Sequence, residues 1–241
     1  MTSQIILITG ANKGLGFETA RVLGRDGATV LVGARSTELG EKAAATLGGE
    51  GADARFVQLD VTDESSITAA AELIEREHGR LDVLVNNAGI TTTGLDAPPP
   101  SAIAADLVRT AFETNVFGVI TVTNAMLPLL LRSPEGRIVN VSSSLSSLTQ
   151  LSDPASTRPN LLPYNTSKSA LNAVTVAYAR ELAGSSVTVR AVCPGFCATD
   201  MNGHAGHRSP DQGAAVIASV ARLGADGPTG VLIDEDGLVP W

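Results

Sequence analysis

Tyr164 and Lys168 stand four positions apart in the segment YNTSK, inside a stretch with the periodicity of a helix. Residues four positions apart share one face of a helix, so the phenol and the ammonium group can meet. A neighbouring ammonium favours the phenolate, which lowers the pKa of a tyrosine and lets it transfer a proton nearer neutral pH. Tyrosine is scarce here, with two in 241 residues, and an exposed pair without a chemical role is the alternative.

A glycine-rich turn follows the first apolar run of the chain. Gly10, Gly14 and Gly16 have the spacing G-x-x-x-G-x-G in ITGANKGLGFETA. Glycines so placed let the backbone turn tightly and approach a pyrophosphate, whose charge the next helix N-terminus stabilises. A tight turn that binds nothing is the alternative, but the position directly after a first strand favours a nucleotide site.

The charges beside this turn indicate which nucleotide is bound. Folds selective for NAD usually carry an acidic residue at the end of the second strand, where it holds the ribose hydroxyls. This chain has Ala34 and Arg35 there, and Lys13 lies within the glycine turn. Two cations without a carboxylate suit the 2′-phosphate of NADPH/NADP, whereas two solvated surface charges are the alternative.

Alternating strands and helices must position these residues. Short apolar runs predict strands over 5–9, 29–34, 55–59, 81–85, 137–141, 187–192 and 230–233. Because the runs are nearly continuous, each strand is expected to be buried on both faces. Helical periodicity covers 16–27, 36–49, 63–79, 102–131 and 161–183. The pattern predicts an α/β fold, a single-domain Rossmann-type doubly wound parallel sheet of about seven strands with helices on both faces, over residues 1–241.

Two irregular segments are candidate substrate lids. LSDPASTRPNLLP at 151–163 contains three prolines, and TDMNGHAGHRSPDQG at 199–213 is polar and is not expected to pack as a core element. APPPS at 97–101 reads as a turn before the long helix. Ligands of open parallel sheets bind beyond the carboxyl ends of strands, which both candidate lids follow.

Composition and charge exclude several classes of protein. The chain is 44% hydrophobic with a net charge of −8, which is globular and unsuited to binding nucleic acid or anionic membranes. Cys193 and Cys197 are expected to be free thiols, with Cys193 buried. The histidines of HAGH at 204–207 lack further ligands, so no metal site is predicted. Without a signal peptide or a membrane-length apolar run, the protein is expected to be soluble and cytoplasmic.

Seven motifs in order make the chain resemble the short-chain dehydrogenase/reductases over essentially its whole length. They are TGANKGLG at 9–16, Asp60-Val61, NNAG at 86–89, TNVFG around Asn115, GRIVNVSS ending at Ser143, YNTSK, and CPGFCATDM at 193–201. The glycine turn, the last motif and the ending GPTGVLIDEDGLVPW are most similar to the carbonyl-reductase-like members.

The resemblance implies a role for each catalytic residue. Tyr164 is expected to be the general acid that protonates a carbonyl oxygen as hydride arrives, with its pKa lowered by Lys168 and by the oxidised cofactor. Lys168 is expected to hold the nicotinamide ribose, and Ser143 to orient the substrate oxygen. Asn115 is expected to hold a water that links Lys168 to solvent. Ser142 and Ser144 flank Ser143, and the strand register favours Ser143.

The resemblance also implies a set of residues that bind the cofactor. Asp60 and Val61 are expected at the adenine, Asn87 along the adenosine half, and Thr199 at the carboxamide. Ala88 and Gly89 are expected to leave room for the cofactor, and Gly195 to let the backbone pass close to the ring. The complete predicted set comprises Gly10, Asn12, Lys13, Gly14, Leu15, Gly16, Arg35, Asp60, Val61, Asn87, Ala88, Gly89, Tyr164, Lys168, Pro194, Gly195 and Thr199.

The chain departs from most of the family between the serine and the tyrosine. Tyr164 follows Ser143 by 21 positions, and the additional residues lie in the segment that borders the substrate pocket. Arg158, Asn160 and Leu161 are candidate substrate contacts, with a solvated loop as the alternative. The same segment borders a helix face that relatives use to oligomerise, so the family's dimer or tetramer and a monomer both stay open.

The function favoured by these observations is NADPH-dependent reduction of a small aldehyde, ketone or quinone. A secondary-alcohol dehydrogenase or ketoreductase of a biosynthetic pathway is the alternative within enzymes. A non-catalytic dinucleotide sensor is an alternative of another class. Such sensors typically lack the tyrosine or the lysine, both of which are present here.

Overall fold

Eight strands form one sheet in the computed structural model, which describes residues 3–241. The strands are β1 (Ile5–Thr9), β2 (Thr29–Ala34), β3 (Asp53–Gln58), β4 (Val83–Asn86), β5 (Gly136–Val141), β6 (Val187–Val192), β7 (Leu232–Asp234) and β8 (Gly237–Val239). Their order is β3-β2-β1-β4-β5-β6-β7-β8, with β8 antiparallel to β7 and the other pairs parallel. The strand order reverses between β1 and β4, where such sheets bind ligands.

Eight α-helices accompany the sheet in the described part of the chain. They are α1 (Gly14–Arg25), α2 (Thr37–Gly49), α3 (Glu64–His78), α4 (Ala105–Phe112), α5 (Gly118–Leu130), α6 (Leu148–Leu151), α7 (Leu162–Glu181) and α8 (Pro210–Arg222). None of the helices within residues 3–241 is long and apolar enough to span a bilayer.

The hydrophobic core is divided between the two faces of the sheet. Ile6 and Ile8 of β1 pack with residues of α1, α2 and α8. Ile5 and Leu7 of the same strand pack with residues of α3, α5 and α7 on the opposite face. Alternate residues of a strand point to opposite faces, so β1 needs apolar residues throughout. The predicted doubly wound α/β fold is confirmed.

Two details of the predicted sheet differ from the structure. The sheet has an eighth strand, because the chain turns back after β7 and pairs Ile233 with Leu238. The prediction that every strand is buried on both faces is wrong for β3, where Asp53 and Arg55 are exposed. β3 is the edge strand, so part of its side chains face solvent.

The predicted helices also need two corrections. The helix predicted over 102–131 is interrupted by a π-helical turn at Glu113–Phe117, which separates α4 from α5. The prediction that 199–213 does not pack is wrong at its end, because α8 begins at Pro210 and its Gly213 is buried. Ser209 and Gln212 form a capping box before this helix, and proline follows at its first position. Both features are sequence signatures of a helix start.

Candidate active site

The predicted site residues lie along one edge of the sheet. The glycine turn follows β1, Arg35 follows β2, Asp60 and Val61 follow β3, and residues 87–89 follow β4. Ser143 follows β5, and Pro194, Gly195 and Thr199 follow β6. Because parallel strands end on the same side, residues as far apart in the chain as Gly10 and Thr199 lie along the same edge of the sheet.

Three consecutive serines after β5 have separate partners. The Ser142 hydroxyl is buried and donates to Asn172 Oδ1 at 2.7 Å. The Ser144 hydroxyl accepts a hydrogen bond from Arg158 Nη1 at 2.9 Å. The Ser143 hydroxyl accepts from the Leu145 amide at 3.1 Å and lies close enough to Tyr164 to oppose the rise of its pKa. Of the three, Ser143 is therefore the serine placed beside Tyr164.

Tyr164 lies in the first turn of α7, half-buried, next to Ser143 and Cys193. Burial, with a smaller contribution from the nearby Cys193, raises the pKa of Tyr164 to about 12, and Ser143 opposes the shift. The expected lowering of this pKa is therefore wrong for the protein chain by itself, because desolvation of the phenolate is the larger effect. Tyr164 is a protonated phenol throughout the neutral range.

Lys168 lies one turn further along α7, buried at the end of β5. Its ammonium donates to the Val141 carbonyl at 2.8 Å and lies 5.7 Å from the centre of the Tyr164 ring. Burial lowers the pKa of Lys168 to about 8. The two side chains are therefore close together, as predicted. The hydrogen bond of the Lys168 ammonium goes to the backbone of β5, however, and not to the phenol of Tyr164.

Asn115 is fully buried in the π-helical turn between α4 and α5. Its amide donates to the Ile90 carbonyl at 2.9 Å and to the Ser167 hydroxyl at 3.0 Å, and its oxygen accepts from the Ile90 amide. A Cβ built on Gly89 would lie 3.3 Å from this oxygen and 3.4 Å from Lys168 Nζ. Asn115 and Lys168 therefore border the same narrow space, which a larger residue than glycine would fill.

The glycine turn has the features of an anion site. Gly10 and Gly14 have φ values of 64° and 58°, in the left-handed region that glycine adopts without strain. A Cβ on Gly16 would lie 2.5 Å from Asn87 Nδ2, which donates to the Thr9 carbonyl at 2.8 Å. Helix α1 begins here with no side-chain cap and no acidic residue in its first turn, so its amide groups are available to an anion. Asn12 and Leu15 complete the turn.

The two cations predicted beside the cofactor differ in their partners. Lys13 Nζ lies 2.6 Å from Asp200 Oδ2, which also lowers the pKa of Asp200, and His204 Nε2 lies 3.1 Å from the other oxygen. Arg35 is exposed and has no hydrogen bond or ion pair with any residue of 3–241. The sequence showed no carboxylate near Lys13 because Asp200 is 187 positions away.

Residues 198–208 form a flap over the glycine turn. Its neck is closed by hydrogen bonds from the Ala198 amide to the Arg208 carbonyl at 2.8 Å and from the Arg208 amide to the Phe196 carbonyl at 3.1 Å. Thr199 lies opposite Gly14, since a Cβ on that glycine would be 3.8 Å from the threonine methyl group. The Arg208 side chain covers Gly195 and pairs with Glu235.

Both cysteines are free and Cys193 is buried, as predicted, and Cys197 is buried as well. Cys193 Sγ accepts a hydrogen bond from the Ser144 amide at 3.1 Å, which joins the residue directly after β6 to the serine turn. This contact and the Arg158–Ser144 contact were not predicted, and no spacing pattern in the sequence could have shown them.

Comparisons with known proteins show which family this chain is similar to. A family model described as short chain dehydrogenase matches residues 4–209. The short-chain dehydrogenase anuI of Penicillium roqueforti is 38% identical over 248 residues, which cover 99% of this chain and 97% of that protein. Carbonyl reductase (NADPH) 1 of Sus scrofa is 34% identical over 279 residues, covering 99% and 94%. An NADPH-bound carbonyl reductase from chicken fatty liver superposes with a TM-score of 0.86 at 25% identity, covering 100% of both chains.

Substitution Asp200→Asn should loosen the flap, because it removes the charge that Lys13 and His204 share. We expect amide hydrogen exchange of residues 199–206 to become roughly two- to fivefold faster, the range that an exposed ion pair provides. Asp106→Asn, which removes another exposed ion pair far from the flap, is the control. Unchanged exchange in Asp200→Asn would show that the neck alone holds the flap.

Proposed function

The chain belongs to the short-chain dehydrogenase family, and we propose that it reduces a small-molecule carbonyl compound with NADPH, using Tyr164 as the general acid. The cofactor is NADPH/NADP, and the enzyme is an NADP-dependent oxidoreductase. The observation that carries the proposed mechanism is the cluster of Ser143, Tyr164 and Lys168 at the strand end beside the glycine turn. We further propose that residues 1–241 act as one domain and that the protein works in the cytoplasm.

The residues at the strand ends fit the cofactor. The uncapped start of α1 and the glycine turn suit a pyrophosphate, and Arg35 offers an unpaired charge to a 2′-phosphate. The space that a Cβ on Gly89 would fill, beside Lys168, suits the nicotinamide ribose. When bound, the reduced cofactor supplies the hydride.

Tyr164 donates the proton in this proposal. Its phenol keeps its proton at neutral pH, because burial raises its pKa to about 12. As hydride reaches the carbonyl carbon, negative charge develops on the oxygen, and this oxygen becomes a far stronger base than the ground-state carbonyl. The phenol O–H bond then breaks and the proton passes to the oxygen, giving the alcohol.

Ser143 and Lys168 support this transfer in different ways. The Ser143 hydroxyl lies beside Tyr164 and can donate to the same substrate oxygen, so that the carbonyl is held toward Tyr164. The buried Lys168 ammonium places a positive charge below the phenol and favours the phenolate that forms when the proton leaves. Asn115 fixes the backbone of Ile90, next to the space between Gly89 and Lys168. We propose, as the family resemblance implies, that Asn115 holds a water that links Lys168 to solvent.

The proposal is tested by NADPH consumption with a panel of aldehydes, ketones, diketones and quinones. Tyr164→Phe should lower kcat by at least roughly 100-fold, because general acid catalysis contributes that much, while NADPH still binds. Binding is followed by NADPH fluorescence, and Tyr178→Phe, which alters the other tyrosine outside the site, is the matched control. Full turnover by Tyr164→Phe would refute the role of Tyr164, and no turnover by wild type despite NADPH binding would refute the reductase.

The pH dependence of reduction should report Lys168. Its pKa is lowered to about 8 by burial, so its charge is present below pH 8 and is lost as the pH rises through that value. We expect kcat/KM for NADPH to fall above about pH 8, while Tyr164 stays protonated. Lys168→Met should have a lower kcat/KM for NADPH at neutral pH, and this kcat/KM should not decrease further above pH 8. A wild-type profile that stays level up to pH 10 would contradict the lowered pKa.

Cofactor preference should depend more on Arg35 than on Lys13. Arg35 has no competing partner, whereas Lys13 is paired with Asp200. Arg35→Ala should reduce the preference for NADPH over NADH by roughly tenfold or more, the value of a charged hydrogen bond to phosphate. Lys13→Ala should reduce it by less. Ratios of kcat/KM for the two cofactors measure both effects, and an equal or larger loss in Lys13→Ala would reverse the assignment.

A further inference from the structure

Arg158 reaches from the segment between α6 and α7 to the turn that carries Ser143. Its Nη1 donates to the Ser144 hydroxyl at 2.9 Å. Ser144 is adjacent in sequence to Ser143, and its amide donates to Cys193 Sγ, which lies beside Tyr164. The exposed guanidinium therefore binds the residue that follows Ser143, near the groups proposed to hold the carbonyl oxygen.

The backbone directly after Arg158 is attached to helix α7. The next residue, Pro159, has its carbonyl bound by the buried Asn165 Nδ2 of α7 at 3.0 Å. Before Arg158, Asp153 accepts from the Ala155 amide at 2.8 Å, which closes a local turn within the segment itself, so the attachment to the rest of the fold is the one at Pro159. Leu161 is buried where α7 begins, and the substrate contact predicted for it stays a prediction. Arg158 thus starts from a fixed point and extends toward Ser144.

The charge of Arg158 is not neutralised by the protein. Its hydrogen-bond acceptor is a neutral hydroxyl, and no carboxylate within residues 3–241 forms an ion pair with it. The start of α7, four residues on, has no side-chain cap and no acidic residue in its first turn, which adds partial positive charge. Local positive charge at this point contrasts with the net charge of −8 of the whole chain.

We propose that Arg158 binds a carboxylate of the substrate, so that the preferred substrates are carbonyl compounds that carry a carboxylate group. This inference rests on the proposed carbonyl reduction at the same site. A guanidinium has five N–H donors in a planar fork, and the contact with Ser144 uses one of them. The others can bind both oxygens of a carboxylate, with the hydroxyl of Ser144 fixing the plane of the fork.

The cofactor phosphates are not the partners of this arginine. They are assigned to the start of α1 and to Arg35, which follow β1 and β2, whereas Arg158 lies beyond β5. β1 and β5 are separated by β4 in the sheet. Arg158 is instead exposed to solvent and hydrogen-bonds Ser144, the neighbour of Ser143, which places it near the carbonyl end of a substrate.

The test compares two aldehydes that differ in one charge, 4-formylbenzoate and its methyl ester. Their kcat/KM values are measured with NADPH at neutral pH for wild type, Arg158→Gln and Arg158→Lys. Arg180→Gln, which removes an exposed charge at the far end of α7, is the matched control. We expect wild type to prefer the acid, and Arg158→Gln to lower the acid-to-ester ratio roughly tenfold or more, as for a lost charged hydrogen bond. Arg158→Lys should keep part of the preference, and Arg180→Gln all of it.

The possible failures are distinguishable. Reduction of both aldehydes without a preference for the acid, or an acid-to-ester ratio that Arg158→Gln leaves unchanged, would overturn the carboxylate site and leave the reductase intact. An equal drop in Arg180→Gln would show a general charge effect and would also overturn it. Failure of wild type to consume NADPH with any carbonyl of the panel would overturn the proposed function, and this inference with it.

A measurement of binding complements turnover. Benzoate should inhibit the reduction of any accepted carbonyl competitively, and Arg158→Gln should raise its inhibition constant roughly tenfold. Benzamide, which has the same shape without the charge, is the control and should respond little to the substitution. Equal inhibition constants for benzoate in wild type and Arg158→Gln would contradict a carboxylate site at Arg158.

Discussion

The hydrogen bond from the Lys168 ammonium to the Val141 carbonyl joins helix α7 to the end of strand β5. Val141 is the last residue of that strand, and Ser143 follows it by two positions. Tyr164 precedes Lys168 by one turn of the helix, so the same attachment brings the phenol to the serine. The bond is made in a buried position, where a charge requires a strong acceptor, and the lowered pKa of Lys168 reports how much the burial costs.

Buried polar contacts beneath the site keep this attachment in register. Asn140 of β5 donates to the Thr175 hydroxyl of α7 at 2.9 Å and accepts from Asn86 of β4 at 2.9 Å. Nearer the site, Asn172 of α7 accepts from the Ser142 hydroxyl at 2.7 Å. Since each of these groups would be unsatisfied if the helix shifted along the strand, they specify one position for α7.

The distribution of charge follows from the acidic composition of the chain. Most cations in the described part are paired with carboxylates, as Lys13 is with Asp200. Arg35, which follows β2, and Arg158, which lies in the segment after β5, are among the cations without such a partner. The two positions correspond to the two anions proposed for the site, the cofactor phosphate and the substrate carboxylate. A cation left unpaired in an acidic protein is available to an anionic ligand without first breaking an ion pair.

Local patterns in the sequence determined the parallel sheet, the glycine turn and the pairing of Tyr164 with Lys168, because each depends on residues close together in the chain. The sequence predicted that strand β3 is buried on both faces, but β3 is partly exposed. It lies at the edge of the sheet, and the order of the strands is not visible in the sequence. Only the tertiary structure determined the contacts of Asp200 with Lys13 and of Arg158 with Ser144, because each contact joins segments that are distant in the chain. The same holds for the pKa of Tyr164: helical spacing predicted a neighbouring charge, but the burial that raises this pKa comes from residues of several elements packed around it.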